Sequence, residues 1–129
     1  MIKFLKLTSG DLVNVNEIKR IEKNIHFTTE QKGSKNECKA KVEIDVLMHH
    51  GLETFVRVTA AAPFTDGEKW DDKPGICEAI HERIDGILDV MISVVIDKMN
   101  DDTEKIIDIY TGFLASTLEE SLTEEAERG

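Results

Sequence analysis

The spacing of apolar residues along this chain changes near residue 60. Before that point apolar and polar residues alternate, most strictly in the ten residues after Cys38, which predicts β-strands with one buried face. Between Gly75 and Asn100 apolar residues recur every three or four positions, which predicts a long helix. Strands followed by helices are typical of an α+β fold. We expect an N-terminal antiparallel β-meander of four or five strands, then two C-terminal helices in an antiparallel hairpin.

The meander is expected in a single domain over residues 1–129, with the sheet in 1–60, a connector in 61–75 and the helical hairpin in 76–125. The segment Glu30–Glu37 is polar and contains Gly33, so we expect a loop there with a disordered tip. The predicted strands are Ile2–Thr8, Leu12–Val15, Ile18 or Lys19 to Thr28, Lys39–Met48 and Glu53–Thr59.

The two predicted helices have recognisable ends. Asp71 or Asp72 can cap the first helix, with Pro74 in its first turn, where its missing N–H costs nothing. Asp101, followed three residues later by Glu104, resembles the start of a second helix. In the alternative, the two helices fuse across Asn100–Asp102 into one long rod.

The first helix is unusually apolar. Between Ile87 and Ile96 only Asp89 and Ser93 are not apolar, so one sheet and one neighbouring helix would not cover it comfortably. We therefore expect a homo-oligomer that assembles through the helix Ile76–Met99.

Charge narrows the choice of partners. The formal net charge of −10 argues against nucleic acid or anionic lipid as a partner. No apolar run is long enough to span a membrane, so we expect a cytoplasmic protein with reduced cysteines. Residues 1–41 carry nine Lys/Arg and five Asp/Glu, whereas residues 42–129 carry seven and twenty-one. This asymmetry has three interpretations. It serves solubility and attraction between the two halves, the basic part binds a small anion, or the acidic part binds a basic protein.

Familiar catalytic patterns are missing from the sequence. It contains no GxGxxG, GxxxxGK[ST], GxSxG or HExxH, so we expect no catalytic residues, no cofactor and no metal site. His49 and His50 are adjacent at a strand end and point to opposite faces, which suits a surface turn. Cys77 with His81, or His81 with Asp85, leaves an enzyme as a third possibility.

A small-anion pocket is predicted where the sheet ends and the first helix begins. Its residue types fit their local surroundings poorly: a cation in an apolar strand, aromatic rings in a polar connector, and cations beside the acidic helix. Arg57 has the alternative of an ion pair with Glu43 or Asp45, and Trp70 that of a lid on the core. The expected ligand-binding residues are Arg57, Phe64, Trp70, Lys73 and Arg83.

The N-terminal stretch FLKLTSGDLVNVNEIKRIEKN resembles a small β-module found in flagellar FlbD-type proteins and in phage reading frames. The overall layout, a small sheet followed by two helices, looks like the phage Thoeris anti-defence sponges. That resemblance implies a non-enzymatic oligomer that sequesters a cyclic nucleotide-like signal. No motif of that family matches residue by residue, so no functional residue is carried over.

Two functions of different classes follow. The leading hypothesis is a non-enzymatic binding protein of phage or mobile-element type that sequesters a nucleotide-like anion. The alternative is an acidic inhibitor or adaptor that blocks a basic, nucleic-acid-binding surface on another protein.

Overall fold

The computed structural model describes residues 2–128, which form two three-stranded sheets and two α-helices. The expected α+β class is confirmed, with five strands before the first helix and a two-residue strand between the two helices. The strands are β1 (Phe4–Lys6), β2 (Leu12–Asn14), β3 (Ile18–Lys32), β4 (Lys35–Met48), β5 (Gly51–Ala61) and β6 (Ile106–Ile107). The helices are α1 (Pro74–Met99) and α2 (Phe113–Arg128).

The large sheet is an antiparallel meander in the order β3-β4-β5. Its central strand β4 follows the period of two that the sequence predicts, because alternate side chains point to opposite faces. One face is fully buried beneath the helices, and its residues on β4 are Ala40, Val42, Ile44 and Val46. The other face has no helix over it and carries mainly charged and polar side chains.

The predicted loop over Glu30–Glu37 is wrong. β3 continues to Lys32, β4 begins at Lys35, and the turn between them needs only Gly33, with φ of +65°, and Ser34. Lys32 Nζ lies 2.8 Å from Glu37 Oε2 across the hairpin. This ion pair is diagonal, because the register places like charges directly opposite one another, and it accompanies a strand through residues whose polarity suggested a loop.

The second sheet was not expected in this form. β1 pairs antiparallel with β2, as the sequence predicts, but its other edge pairs in parallel with β6 from the far end of the chain. The prediction of a helix starting at Asp101 is therefore wrong, and so is the fused-helix alternative. Phe4 N–H donates to Lys105 C=O at 2.8 Å, and Ile107 is fully buried. Tertiary pairing thus overrides the local capping pattern, and α2 begins only at Phe113.

The helix α1 begins at Pro74, so this proline lies in its first turn as predicted, but neither Asp71 nor Asp72 caps the helix. Both lie in a short 3-10 helix, Trp70–Asp72, and the N-cap residue Lys73 makes no side-chain cap. Successive buried positions of α1 are three or four residues apart, as expected for one covered face. They are Ile76, Ile80, Ile84, Leu88, Met91 and Val95.

The two helices lie side by side and antiparallel over one face of the large sheet. α1 packs along β3 and α2 along β5. Arg83, early in α1, pairs with Glu124, late in α2, with 2.6 Å between Nη1 and Oε2. Neither of the helices formed by residues 2–128 has the length and apolar content needed to cross a membrane.

Candidate protein-binding surface

Three of the five predicted ligand residues meet at the end of the large sheet. Trp70 is only 5% exposed, and its ring centroid lies 4.7 Å from that of Phe27 and 4.9 Å from that of Phe64. Its indole N–H donates to the backbone oxygens of Thr28 at 3.0 Å and Lys39 at 3.2 Å. Trp70 is therefore a lid on the core, with its faces and its donor already engaged by the protein.

Lys73 lies beside this aromatic cluster and is already paired. Its ammonium lies 2.6 Å from Glu68 Oε2 and 5.9 Å from the centroid of the Phe64 ring. The hydrogen bond from Lys73, followed by those from the side chain and backbone of Thr65, lowers the pKa of Glu68 to about 2. An anion at this position would have to displace a carboxylate that is stably ionised.

Arg57 lies on the face of the large sheet that points away from the helices. Its Nε donates to Glu43 Oε2 at 2.9 Å and its Nη2 donates to Thr54 Oγ1 at 3.3 Å. Glu43 is only 6% exposed although neither α1 nor α2 covers this face, and His26 Nε2 lies 3.7 Å from its Oε1. The guanidinium thus compensates a buried carboxylate, the ion-pair alternative that its position in the strand suggested.

Arg83 occupies a third location, between the two helices, where Glu124 holds it. The five residues are therefore divided: Phe64, Trp70 and Lys73 lie together, whereas Arg57 and Arg83 lie on other surfaces. Each of the four polar or ionisable members has a partner within the protein.

The pairs considered for catalysis line a shallow cleft between α1 and β3. Burial, and then the charge of Asp71, raises the pKa of the Cys77 thiol, so little thiolate is present at neutral pH. Asp85 pairs with Lys23 at 3.0 Å. Within residues 2–128, no three His, Cys, Asp or Glu side chains are placed to share a metal ion. The lining residues of the cleft are Phe27, Cys77, Glu78, His81, Glu82 and Asp85.

The structure divides the charge differently from the sequence halves. Residues 2–73 form β1 to β5 and the connector, and they carry twelve Lys/Arg and twelve Asp/Glu. Residues 74–128, which contain both helices, carry four Lys/Arg and fourteen Asp/Glu. The whole side-chain charge of −10 therefore belongs to the part of the chain that forms the helix layer.

An exposed apolar strip runs along the junction of the two helices. Because the helices are antiparallel and each rises about 1.5 Å per residue, the Arg83–Glu124 contact places Val90 opposite Thr117 and Val94 opposite Phe113. Val90 is 64% exposed, and Val94 and Phe113 are each more than a third exposed. We call the strip the helix seam, and it consists of Val90, Val94, Tyr110 and Phe113.

Tyr110 extends the helix seam beyond the start of α2. Its ring centroid is 6.1 Å from that of Phe113, and its side chain is 77% exposed. A helix that begins at Asp101, as the sequence predicts, would contain both rings. The sequence Thr111-Gly112 directly before Phe113 was the available indication of a later start, because glycine disfavours a helix interior.

Unpaired carboxylates lie beside the helix seam. Asp97 follows Val94 by three residues on α1 and Glu120 follows Thr117 by three on α2, so each adjoins the seam. Neither has a Lys, Arg or His nitrogen within 4 Å among the described residues. Glu119 and Glu120 also line a shallow depression on α2.

The helix seam thus combines exposed rings, aliphatic side chains and free carboxylates on the acidic layer. Comparisons with known proteins add no relative: no family model, no curated protein and no solved structure matches this chain significantly.

Proposed function

We propose that this protein binds another protein, and that its helix layer docks on a basic, partly apolar surface of that partner. The observation that carries the proposal is the coincidence of two features on one layer. All of the net charge of −10 lies in residues 74–128, and the same residues expose the helix seam. This is the adaptor or inhibitor that the charge distribution of the sequence suggests as an alternative.

The two features would act at different stages of binding. Uncompensated carboxylates attract a basic partner over a distance of about one Debye length and raise the association rate. The rings of Tyr110 and Phe113 can then be buried, since aromatic residues near the centre of an interface commonly supply most of the binding energy. Acidic residues around an apolar centre give the usual arrangement of a polar rim and a dry core.

A matched pair of charge variants tests the proposal. In the first, Asp97→Asn and Glu120→Gln remove two carboxylates beside the helix seam. In the second, Glu30→Gln and Asp66→Asn remove two exposed carboxylates from the sheet part, so that both variants change the net charge equally. A third variant, Val90→Glu, keeps the acidity and disrupts the seam.

Each variant and the wild type serve as bait for proteins of the source cells, over a range of salt concentrations. We expect wild type and the sheet variant to capture the same basic protein, with retention that falls steeply as salt increases. The seam variants should lose it. A captured protein that is acidic, that resists high salt, or that binds all four baits equally would contradict the proposal.

Self-association is a separate prediction. A two-fold arrangement of helix seams would bring Asp97 and Glu120 of one copy towards the same acidic layer of the other, and such repulsion disfavours close packing. A homo-oligomer through Ile76–Met99 stays a prediction, and sedimentation at low and high salt tests it. An oligomer that forms only at high salt would be the result expected from this charge distribution.

Sequestration of a nucleotide-like anion also stays a prediction. Native mass spectrometry on rapidly purified protein tests it, because a retained ligand adds its own mass. Extra mass in the nucleotide range that disappears in Arg57→Ala or Trp70→Ala would favour this function over protein binding.

A further inference from the structure

A second surface of the molecule, remote in sequence from the helix seam, forms a groove of about 500 Å³. It lies between the small sheet and the turn that joins β4 to β5. Half of its lining residues are apolar, and two of these side chains are about half exposed, with Leu52 at 55% and Leu12 at 48%. We call it the sheet groove, and its apolar lining residues are Phe4, Leu12, Val13, Met48 and Leu52.

One wall of the sheet groove is the free edge of β2, the outermost strand in the order β2-β1-β6. Leu7 N–H donates to Asp11 C=O at 2.8 Å and Val15 N–H donates to Lys3 C=O at 2.9 Å. Backbone groups alternate in direction along an antiparallel strand, so Leu12, between these bonded positions, directs its N–H and C=O away from β1. This leaves a backbone donor and acceptor beside the apolar side chains of the groove.

The rim of the sheet groove is acidic. Glu17 and Glu53 both line it, and neither has a Lys, Arg or His nitrogen within 4 Å among residues 2–128. His50 and Asn14 complete the polar part of the rim. Positive charge next to an apolar side chain would complement both parts of this lining.

We propose that the sheet groove binds an extended segment of another protein that carries a large apolar side chain next to Lys or Arg. The segment adds to β2 by a pair of hydrogen bonds with the backbone of Leu12, the mode in which a peptide extends an exposed sheet edge. Its apolar side chain enters among Phe4, Met48 and Leu52, and its cation meets Glu17 or Glu53. A second copy of this chain fits less well, because its corresponding groove carries the same two carboxylates.

This site does not depend on the proposed function of the helix layer, and the two can be tested apart. Random twelve-residue peptides displayed on phage are selected on the full chain. Fluorescence anisotropy then measures the affinity of the most enriched peptide for wild type and three variants. Leu52→Glu places a charge in the groove, Leu12→Pro removes the outward N–H, and Ile96→Glu is a matched control at an exposed position of α1.

We expect selected peptides to combine Leu, Ile or Phe with an adjacent Lys or Arg. Their affinity should fall at least tenfold for Leu52→Glu and for Leu12→Pro, and stay within twofold for Ile96→Glu. If Leu12→Pro does not fold, as judged by circular dichroism, Leu52→Glu alone decides. The proposal is overturned if no peptide is enriched, if acidic peptides are enriched, or if Leu52→Glu binds as wild type does. Val90→Glu should leave peptide binding intact while it disrupts the helix seam, so failure of either proposal is recognisable by itself.

Discussion

Replacing Lys3 with methionine tests how the N-terminal strand holds the end of α1. Lys3 is only 7% exposed. Its ammonium donates to the backbone oxygens of Lys98 at 2.9 Å and Met99 at 3.3 Å, and to that of Asp101. The last turn of a helix has carbonyl groups without partners and carries the negative end of the helix dipole. A lysine from the other end of the chain therefore caps α1.

The size of the effect follows from these contacts. Hydrogen bonds to a charged group contribute roughly 1.5–3 kcal/mol in net terms. A cation at a helix C-terminus adds roughly 0.3–1 kcal/mol. Methionine keeps the apolar stem, and water can reach the exposed end at Asp101, which reduces the cost. We expect Lys3→Met to lower the free energy of unfolding by about 2 kcal/mol, which is a fall in Tm of about 7 °C for a domain of this size.

Urea unfolding followed by Trp70 fluorescence measures the change, because this single, buried Trp reports on the core. The midpoint should fall while the dependence on urea stays constant. Lys105→Met is the control, because the Lys105 side chain is exposed and only its backbone oxygen bonds to β1, at Phe4 N–H. If Lys3→Met unfolds within about 0.5 kcal/mol of the wild type, the range of ordinary surface substitutions, the cap is not stabilising and the reasoning fails.

Three further predictions concern single residues. Burial, and then the charge of Asp71, raises the pKa of the Cys77 thiol. In a Cys38→Ala background, Cys77 should therefore react with DTNB at pH 7.5 more slowly than glutathione does, and Asp71→Asn should accelerate the reaction. A rate equal to that of glutathione would contradict the raised pKa. Lys73 holds the pKa of Glu68 at about 2, below its ordinary 4.5, so the stabilisation is present above pH 4.5 and is lost as the pH falls towards 2. Glu68→Gln should therefore flatten the pH dependence of unfolding in that window, and an unchanged slope would count against the ion pair. A methyl group on Gly112 would lie 2.8 Å from Tyr110 Cε2, so Gly112→Ala should displace this exposed ring. The variant should capture the partner more weakly while its Tm stays within about 2 °C of the wild type. Unaltered capture would exclude Tyr110 from the interface.

The sequence was informative where local pattern and tertiary packing agree. The alternation on β4 and the helical spacing of α1 each record one covered face, and both elements form as predicted. It was misleading over residues 100–112. Asp101 and Glu104 satisfy a helix start locally, but Phe4 and Lys3 approach this segment from almost a hundred residues away. Pairing of β6 with β1 is a long-range event that leaves only two apolar residues, Ile106 and Ile107, as a sign in the sequence.

The candidate surface was harder to predict than the fold for a related reason. The residues that looked unusual in sequence, Arg57 and Trp70, are unusual because the fold uses them internally, to neutralise Glu43 and to close the core. The helix seam consists of ordinary apolar residues whose exposure depends on where α2 begins. The sequence therefore indicates the residues that differ most from their neighbours along the chain, and in the folded protein these residues already have hydrogen-bond or ion-pair partners.

The acidic layer implies that stability and binding should move in opposite directions. Residues 74–128 carry fourteen Asp/Glu and only four Lys/Arg. The excess carboxylates repel one another, and this repulsion lowers the stability of the folded chain. Removing Asp97 and Glu120, which lack partners, should therefore leave the free energy of unfolding unchanged or raise it, and added salt should stabilise the wild type more than this variant. The same variant should lose the basic partner, whose binding offsets the repulsion and stabilises the fold by mass action. If the double variant is instead less stable than the wild type, these carboxylates contribute to folding, and their loss cannot be used as evidence for a binding surface.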